Sequence, residues 1–279
     1  MGERPRRTIV SFHAHPDDEA LLTAGTLAAL AAAGHRTVLV TATAGEQGLA
    51  DPRLGTGAEL AERRARELAD AARAMGCARH EILGYLDSGI DGAASGRDGF
   101  AHVDVEPAAE RLAAVLRREE ADVLTVYDPA GGYGHPDHLQ VHRVGIRAAR
   151  LAGTPLVLEA TVDPRVLLAG TPWFPLLPGG VRRRPAPEPD RTTLRVDVRA
   201  FVPAKRAAIA AHRSQLRPGL RTLRALLALP SPVFAAVLGR EWFVHRGHEG
   251  QEILDGLLEA VSSPLAALDG AGLRLPEPR

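Results

Sequence analysis

The sequence predicts an α/β fold in which a mostly parallel, Rossmann-like sheet carries helices on both faces. In the first half of the chain, short runs rich in Val, Ile and Leu alternate with longer Ala- and Leu-rich helical patterns. Strands that alternate with helices at this spacing form right-handed βαβ crossovers. Glycine ends the first two helical patterns, at Gly34 and Gly76, as is common at helix C-termini. The length of 279 residues and the hydrophobic content of 45% are those of an ordinary globular protein.

The predicted elements follow one another along the chain. Strands are predicted at 8–12, 37–41, 81–85, 122–127 and 155–158, and helices at 19–33, 58–75, 107–119 and 137–151. We expect residues 1–165 to form the Rossmann-like domain and residues 166–279 to form a C-terminal extension that packs on it. Prolines crowd the segment 170–190, which predicts a long irregular loop. An edge strand at 192–198 and helices at 204–216 and 220–229 complete the prediction.

The composition excludes several classes of protein. Basic and acidic residues number 34 each, so a net charge of zero gives no footprint for nucleic acid or an anionic membrane surface. No apolar run is long enough to span a membrane and no targeting segment is visible, so we expect a cytoplasmic protein. A single cysteine excludes a disulfide framework within the chain. Eleven histidines leave nitrogen and oxygen as the ligands for any metal ion.

Two segments share the sequence His-Pro-Asp, and each lies where a predicted strand gives way to a helix. The first, HAHPDDE, spans 13–19 after the first strand, and the second, GGYGHPDH, spans 131–138 after the fourth. In a doubly wound sheet of order 3-2-1-4-5, these two strands are neighbours at the point where the winding reverses. Ligands bind in the crevice outside the carboxyl ends of such strands. We therefore expect both segments to face one pocket.

Three residues of these segments could hold a metal ion. His15 and Asp18 lie three residues apart at a helix entrance, and His138 comes from the other segment. Two histidines and one carboxylate with an open position form a common catalytic zinc site, in which zinc lowers the pKa of bound water to ~7. The same ligands occur in non-haem iron(II) oxygenases. Because the usual scaffold of those oxygenases is a β-barrel, the strand–helix alternation counts against iron(II).

Neighbouring residues have the chemistry of proton transfer. Asp17, beside Asp18, could act as a general base. His135 could stabilise an oxyanion or protonate a leaving amine, and Asp137 could fix the tautomer and orientation of that histidine. Taken alone, an acidic helix start usually serves only the helix dipole, and a glycine-rich run is usually a turn. The pairing of the two segments favours the catalytic interpretation, which is hydrolysis of an amide or ester.

At these residues the sequence resembles the PIG-L/LmbE-like family of zinc-dependent N-deacetylases. The family signature Ala-His-Pro-Asp-Asp-Glu is complete at 14–19, and its second signature, His-Pro-Asp-His, lies at 135–138. The sequence looks closest to the bacterial branch that acts in mycothiol metabolism. The resemblance implies zinc as the cofactor and an amino-sugar conjugate of the N-acetylglucosaminyl-inositol type as the small-molecule substrate. An amidase cleaving a larger thiol-sugar conjugate, a natural-product deacetylase and a non-catalytic sugar-binding module stay open as alternatives.

The resemblance also assigns residues. It implies that the three predicted ligands bind zinc, that Asp17 is the base, and that His135, tuned by Asp137, is the acid or oxyanion stabiliser. It adds Tyr133 as a mobile partner of the oxyanion. Three further positions look like the sugar-contacting residues of the family: Glu46, Arg64 and Asp87. The sequence predicts no oligomeric state.

Overall fold

A single mixed sheet organises the protein. The computed structural model describes residues 5–48, 50–132, 134–161, 191–216, 223–246 and 249–262. Within them, seven strands form a sheet of order β3-β2-β1-β4-β5-β7-β6. β1 to β5 are parallel, whereas β7 runs antiparallel to both β5 and β6. The strands are β1 Thr8–His13, β2 Arg36–Thr43, β3 Arg79–Tyr85, β4 Val123–Tyr127, β5 Leu156–Thr161, β6 Arg191–Asp197 and β7 Arg240–Arg246. The predicted α/β class and the order 3-2-1-4-5 are both confirmed.

Nine α-helices and several short 3-10 turns connect the strands in the described residues. The helices are α1 Asp18–Leu22, α2 Ala24–Ala32, α3 Ala58–Ala74, α4 Val105–Arg118, α5 Pro136–Ala152, α6 Val202–Ala211, α7 Leu223–Leu227, α8 Ser231–Leu238 and α9 Gln251–Ser262. The single helix predicted over 19–33 is divided at Thr23, whose φ is −136°. The Thr23 hydroxyl lies 3.0 Å from Nε2 of the buried His13, so a side-chain network accompanies the break. None of the described helices combines the length and apolar character that a membrane crossing requires.

Each face of the sheet has its own hydrophobic core. On one face, Val10 and Phe12 of β1 pack with the buried sides of α4 and α5. On the other face, Ile9 of β1 packs with α2 and α3 and with the helices that follow β6. Side chains alternate between the two faces of a strand, so a central strand covered on both sides is apolar throughout. The two cores explain why β1 is buried almost along its whole length.

The C-terminal part of the described chain joins this sheet. β6 is the predicted edge strand, but β7 was not predicted and lies between β5 and β6. The boundary predicted at residue 165, the proline-rich segment 170–190 and Tyr133 lie outside the described residues. The division into 1–165 and 166–279 therefore stays a prediction.

One buried ion pair fastens the C-terminal part to the start of α2. Lys205 of α6 has a side chain that is 0% exposed, and its Nζ lies 2.6 Å from Oε1 of Glu241 on β7. The same ammonium group donates to the carbonyl of Leu21 at 2.8 Å. The Glu241 carboxylate in turn accepts the main-chain N–H groups of Gly25 and Thr26, both at 2.8 Å. A carboxylate at this place satisfies N–H groups that the first turn of a helix leaves unpaired.

Candidate active site and metal centre

The two His-Pro-Asp segments meet at the carboxyl ends of β1 and β4. β1 ends at His13 and β4 at Tyr127, and the two strands are paired neighbours. The ring of His15 lies 4.8 Å from that of His135 and 5.7 Å from that of His138, measured between centroids. All three histidines are buried. The structure thus brings together, at one crevice, side chains that are more than a hundred residues apart in the sequence.

Asp18 is the carboxylate that the two predicted histidine ligands share. Its Oδ2 lies 3.2 Å from Nδ1 of His15 and 3.3 Å from Nε2 of His138. The same oxygen accepts the main-chain N–H of His15 at 3.0 Å. Burial disfavours the charged carboxylate, but His138 and His15 outweigh it and hold the pKa of Asp18 well below its usual range. Ligands at about 2.0–2.2 Å from one tetrahedral ion lie about 3.3–3.6 Å apart, so these separations suit a shared metal ion.

The opposite side of the His15 ring faces two more carboxylates. Nε2 of His15 lies 3.1 Å from Oδ2 of Asp137 and 3.4 Å from Oδ1 of Asp87. Burial opposes a charge on His15, yet the contacts with Asp137, Asp18 and Asp87 raise its pKa well above the usual value. Three buried carboxylates around one imidazole require a positive charge, because unpaired buried anions are costly. The donor set therefore fits a metal cation.

The geometry also offers alternative ligand sets. One set is His15, His135 and His138, whose ring nitrogens lie within 4.8 Å of one another. The other set is His15, Asp87 and Asp137, whose donor atoms also lie within 4.8 Å of one another. Oδ1 of Asp137 is buried with no hydrogen-bond partner among the described residues. The site can thus hold a metal ion. Asp18 is in neither of these two groups, but its Oδ2 contacts both His15 and His138.

Asp17 occupies a backbone conformation that residues other than glycine rarely adopt. Its φ is 113° and its ψ is −28°. Its main-chain N–H donates to Oε2 of Glu19 at 2.9 Å, and its Oδ2 lies 3.0 Å from Nη2 of Arg64. Burial raises the pKa of Asp17 to about 6, against the lowering effect of the Arg64 charge. A carboxyl with this pKa is ready to accept a proton near neutral pH.

Arg64, predicted from the resemblance as a sugar contact, is a buried side chain of α3. It donates to the carbonyl oxygens of Gly45 and Pro16 and contacts Asp17. A Cβ atom at Gly45 or Gly48 would overlap its guanidinium group, which explains the glycines of the sequence Gly-Glu-Gln-Gly. In this structure the terminal nitrogens of Arg64 contact the protein's own backbone and Asp17.

The two other predicted sugar-contacting residues support each other. Oε1 of Glu46 accepts the main-chain N–H of Asp87 at 2.7 Å, and Oδ2 of Asp87 accepts that of Gln47 at 3.1 Å. Asp87 is 3% exposed, and its Oδ1 also accepts the N–H of Gly89. These hydrogen bonds join the loop after β2 to the loop after β3 beside His15.

His135 caps α5, the helix that begins at Pro136. Its Nδ1 accepts the main-chain N–H of Asp137 at 3.2 Å. Burial and the neighbouring charges of His15 and His138 lower the pKa of His135 to about 4, so the ring is neutral at pH 7. We expected Asp137 to fix the tautomer and orientation of His135. Its main-chain N–H binds Nδ1 of His135, and its Oδ2 lies 3.1 Å from Nε2 of His15.

Two supporting residues were missed from the sequence. The ring of Tyr127 packs on that of His138 at 4.4 Å, and its hydroxyl lies 3.0 Å from Nδ1 of His13. Ser88 donates its main-chain N–H to Oδ2 of Asp137. An aromatic residue at the end of β4 was a visible signal for the first, whereas a main-chain donor carries no signal in the sequence. His13 contacts Ser11, Tyr127 and Thr23 beneath the site.

The fold and the donor set together define a class of protein: a hydrolase of the doubly wound α/β type whose site can hold a metal ion. Residues 10–149 match the model of a family described as PIG-L, GlcNAc-PI de-N-acetylase. The chain belongs to this family of deacetylases, which hydrolyse amide bonds. The resemblance inferred from the two signatures is confirmed.

Known relatives extend the similarity over nearly the whole chain. A 1D-myo-inositol 2-acetamido-2-deoxy-alpha-D-glucopyranoside deacetylase of Thermomonospora curvata is 36% identical over 301 residues, which cover 96% of this chain and 100% of the relative. The solved N,N'-diacetylchitobiose deacetylase of Pyrococcus horikoshii is 22% identical with a TM-score of 0.58, covering 85% of this chain and 83% of its own. A solved deacetylase of an antimicrobial pseudoaglycone is 17% identical with a TM-score of 0.61, covering 86% and 97%. These two solved structures support the fold alone.

Proposed function

We propose that the protein is a zinc-dependent N-deacetylase that removes an acetyl group from an amino sugar or its conjugate, of the N-acetylglucosaminyl-inositol type. The observation that carries the proposal is the convergence of His15 and His138 on one carboxylate oxygen of Asp18, with Asp17 beside it. The family and the Thermomonospora relative support the reaction and the substrate class. A cytoplasmic location is part of the proposal and is tested by cell fractionation.

His15, Asp18 and His138 would hold the metal ion. Nitrogen and carboxylate oxygen donors in this number suit zinc, and the α/β scaffold favours zinc over the iron(II) of the oxygenases. When bound, zinc supplies Lewis-acid polarisation of the amide carbonyl and lowers the pKa of water. Metal analysis after aerobic and after anaerobic purification tests zinc against iron(II).

Asp17 would act as the general base. Arg64 holds its Oδ2, which leaves Oδ1 as the atom that takes a proton from the attacking water. The water oxygen then bonds to the amide carbonyl carbon. When the C–N bond breaks, the proton held by Asp17 passes to the leaving nitrogen, so the products are acetate and a free amine.

His135 would donate a hydrogen bond to the oxyanion. Because its Nδ1 accepts the N–H of Asp137, the neutral ring carries its proton on Nε2. A neutral ring with an N–H to donate suits oxyanion stabilisation better than proton delivery. Asp137 would support this arrangement by fixing His15 with its carboxylate and His135 with its main chain. Tyr133 is assigned to the same oxyanion by resemblance alone.

Glu46, Arg64 and Asp87 are proposed to contact the sugar, also by resemblance. For Arg64 the contacts with Asp17 and with two carbonyl groups support a second role, which is to hold the base. Carboxylates such as those of Glu46 and Asp87 would accept hydrogen bonds from the sugar hydroxyl groups, together with nearby main-chain groups. No observation in the structure favours the amidase or the natural-product deacetylase over this substrate class.

The deciding experiment measures free amine released from N-acetylglucosaminyl-inositol, larger acylated thiol-sugar conjugates and N-acylated glycopeptides, with and without a chelator. We expect release from the first, its loss on chelation and its return on adding zinc. Asp17→Asn should abolish release with the metal still bound, whereas the control Asp70→Asn on α3 should leave it unchanged. Activity that persists after the metal is shown to be gone would refute the metal role, and a fully active Asp17→Asn variant would refute the base.

A further inference from the structure

We propose that Glu19 and His212 form a positioning pair that holds the main chain of Asp17 in its left-handed conformation. The inference rests on the proposed function, since the role of Asp17 as the base belongs to it. As an acidic residue in the first turn of α1, Glu19 could serve only the helix dipole. The contacts of its carboxylate assign it a more specific task.

The first observation is the conformation that must be held. With φ at 113°, Asp17 is one of only two described non-glycine residues with a positive φ. Such a conformation persists only where the surroundings over-determine it, and it occurs preferentially at functional sites. Arg64 donates a hydrogen bond to the Asp17 carboxylate, and the Glu19 carboxylate accepts the main-chain N–H of Asp17. The side chain and the backbone of the base therefore have separate anchors.

The second observation is the pairing of Glu19 with His212. Both side chains are 0% exposed, and Nε2 of His212 lies 2.5 Å from Oε1 of Glu19. The other oxygen of Glu19, Oε2, is the one that accepts the Asp17 N–H. A carboxylate that serves only a helix dipole needs no burial and no partner. Here one histidine fixes the carboxylate in the single orientation that binds the backbone of Asp17.

The third observation is that the turn carrying His212 is anchored to α3. It follows α6, and two residues later Ser214 donates its main-chain N–H and its hydroxyl to the Glu67 carboxylate of α3, at 2.8 and 2.6 Å. Glu67 lies one turn after Arg64 on the same helix. The two anchors of Asp17 thus share one frame, in which α3 supplies Arg64 directly and secures the turn that carries His212. Through His212 and Glu19, the C-terminal part of the chain contributes to the position of Asp17.

The test compares three variants with full metal occupancy confirmed by elemental analysis. His212→Leu removes the donor and keeps bulk, and His212→Gln keeps an N–H donor. The control Arg206→Met, on the helix that precedes His212, removes hydrogen bonds to the carbonyl groups of Leu229 and Leu227 without touching Glu19 or the turn of His212. Misplacement of a catalytic group by about 1 Å costs about 100-fold in rate. We therefore expect His212→Leu to lower kcat by about 100-fold, with KM changed by less than about threefold. His212→Gln should recover most of this loss, and Arg206→Met should keep kcat while lowering Tm.

Each result decides the proposal. An unchanged kcat in His212→Leu, or an equal loss in Arg206→Met, would overturn it, because the pair would then have only a general structural role. If the leucine variant does not fold, Glu19→Gln takes its place: kcat lower by about tenfold at unchanged KM supports the proposal, and unchanged kcat overturns it. A crystal structure of the variant gives a readout without activity, since Asp17 should leave the positive-φ region. If the wild-type protein releases no amine, the proposed function fails, and this structural readout still decides the positioning.

Discussion

Replacing Lys205 by Met should destabilise the protein more than any change of a surface charge. The Lys205 side chain is fully buried, and its ammonium group donates to the Glu241 carboxylate at 2.6 Å and to the Leu21 carbonyl at 2.8 Å. Met fills the volume of the lysine stem but supplies no charge. The variant therefore leaves the Glu241 carboxylate, 1% exposed, without its counter-ion.

The structure sets the size of the effect. Removing one partner of a buried ion pair costs about 3–5 kcal/mol, because the remaining charge is uncompensated. The Glu241 carboxylate still accepts the N–H groups of Gly25 and Thr26 and faces the start of α2, which favours a negative charge. The loss should accordingly lie at the low end, about 3 kcal/mol. In the double variant Lys205→Met/Glu241→Gln, no unpaired charge remains, so we expect less destabilisation than the two single losses added together.

The assay is urea unfolding at pH 7, followed by circular dichroism and by tryptophan fluorescence, with coincident transitions as the test of two-state behaviour. Arg66→Met is the matched control. The pair Arg66–Glu62 is 3.9 Å long with side chains 72% and 75% exposed, so its loss should cost less than about 0.5 kcal/mol. A loss below about 1 kcal/mol for Lys205→Met, or a double variant worse than the sum of the singles, would refute the reasoning.

Two further predictions concern the surroundings of the base. Gly48→Ala should displace the buried Arg64 guanidinium group, which should cost about 1–3 kcal/mol of stability and lower kcat. Gly256→Ala in α9 is the control: nothing in the described structure lies within 4 Å of the added Cβ atom, so the variant should be more stable by about 0.5–1 kcal/mol. Thermal unfolding of both variants measures the two changes in stability. The stability that the protein loses when His212 is replaced by Gln should depend on pH. Burial opposes its charge, but Glu19 raises the pKa of His212 above 6.5, so its contribution is present below 6.5 and lost as pH rises through the folded value. Burial likewise opposes the charge of Glu19, but His212 lowers the pKa of Glu19 below 4.5, so that contribution is present above 4.5 and lost as pH falls through the folded value. The stability difference should therefore be larger at pH 5.5 than at pH 9, and the opposite trend would contradict the assignment.

The elements and the motifs of this protein are local features, and local features are what the sequence predicts well. Strands such as β1 and β4 are mainly apolar runs, α2, α3 and α5 are followed by Gly34, Gly76 and Gly153, and each His-Pro-Asp segment comes after a strand. Once β1 and β4 are neighbours, the meeting of His15, Asp18 and His138 follows from the topology of a doubly wound sheet.

What could not be predicted depends on contacts between distant parts of the chain. β7 lies between β5 and β6 through antiparallel pairing that no periodicity specifies. Glu19 and His212 are 193 residues apart, and either side chain alone has an ordinary explanation. The contact of the Asp137 carboxylate with His15 joins residues 122 positions apart, and the main-chain N–H of Ser88 binds the same carboxylate oxygen. Such choices are made by packing, after the elements have formed.

Lys205 has a consequence for the chemistry of the protein surface. It is the only lysine of the sequence, and it is fully buried, so the folded chain presents no lysine amine to solvent. An amine-reactive fluorescent reagent added to the native protein therefore meets only the terminal amino group. Labelling of Lys205 would report on opening of the junction between α2, α6 and β7. Because the folded protein carries few reactive amines, its own labelling should add little signal when a released amino sugar is detected with such a reagent.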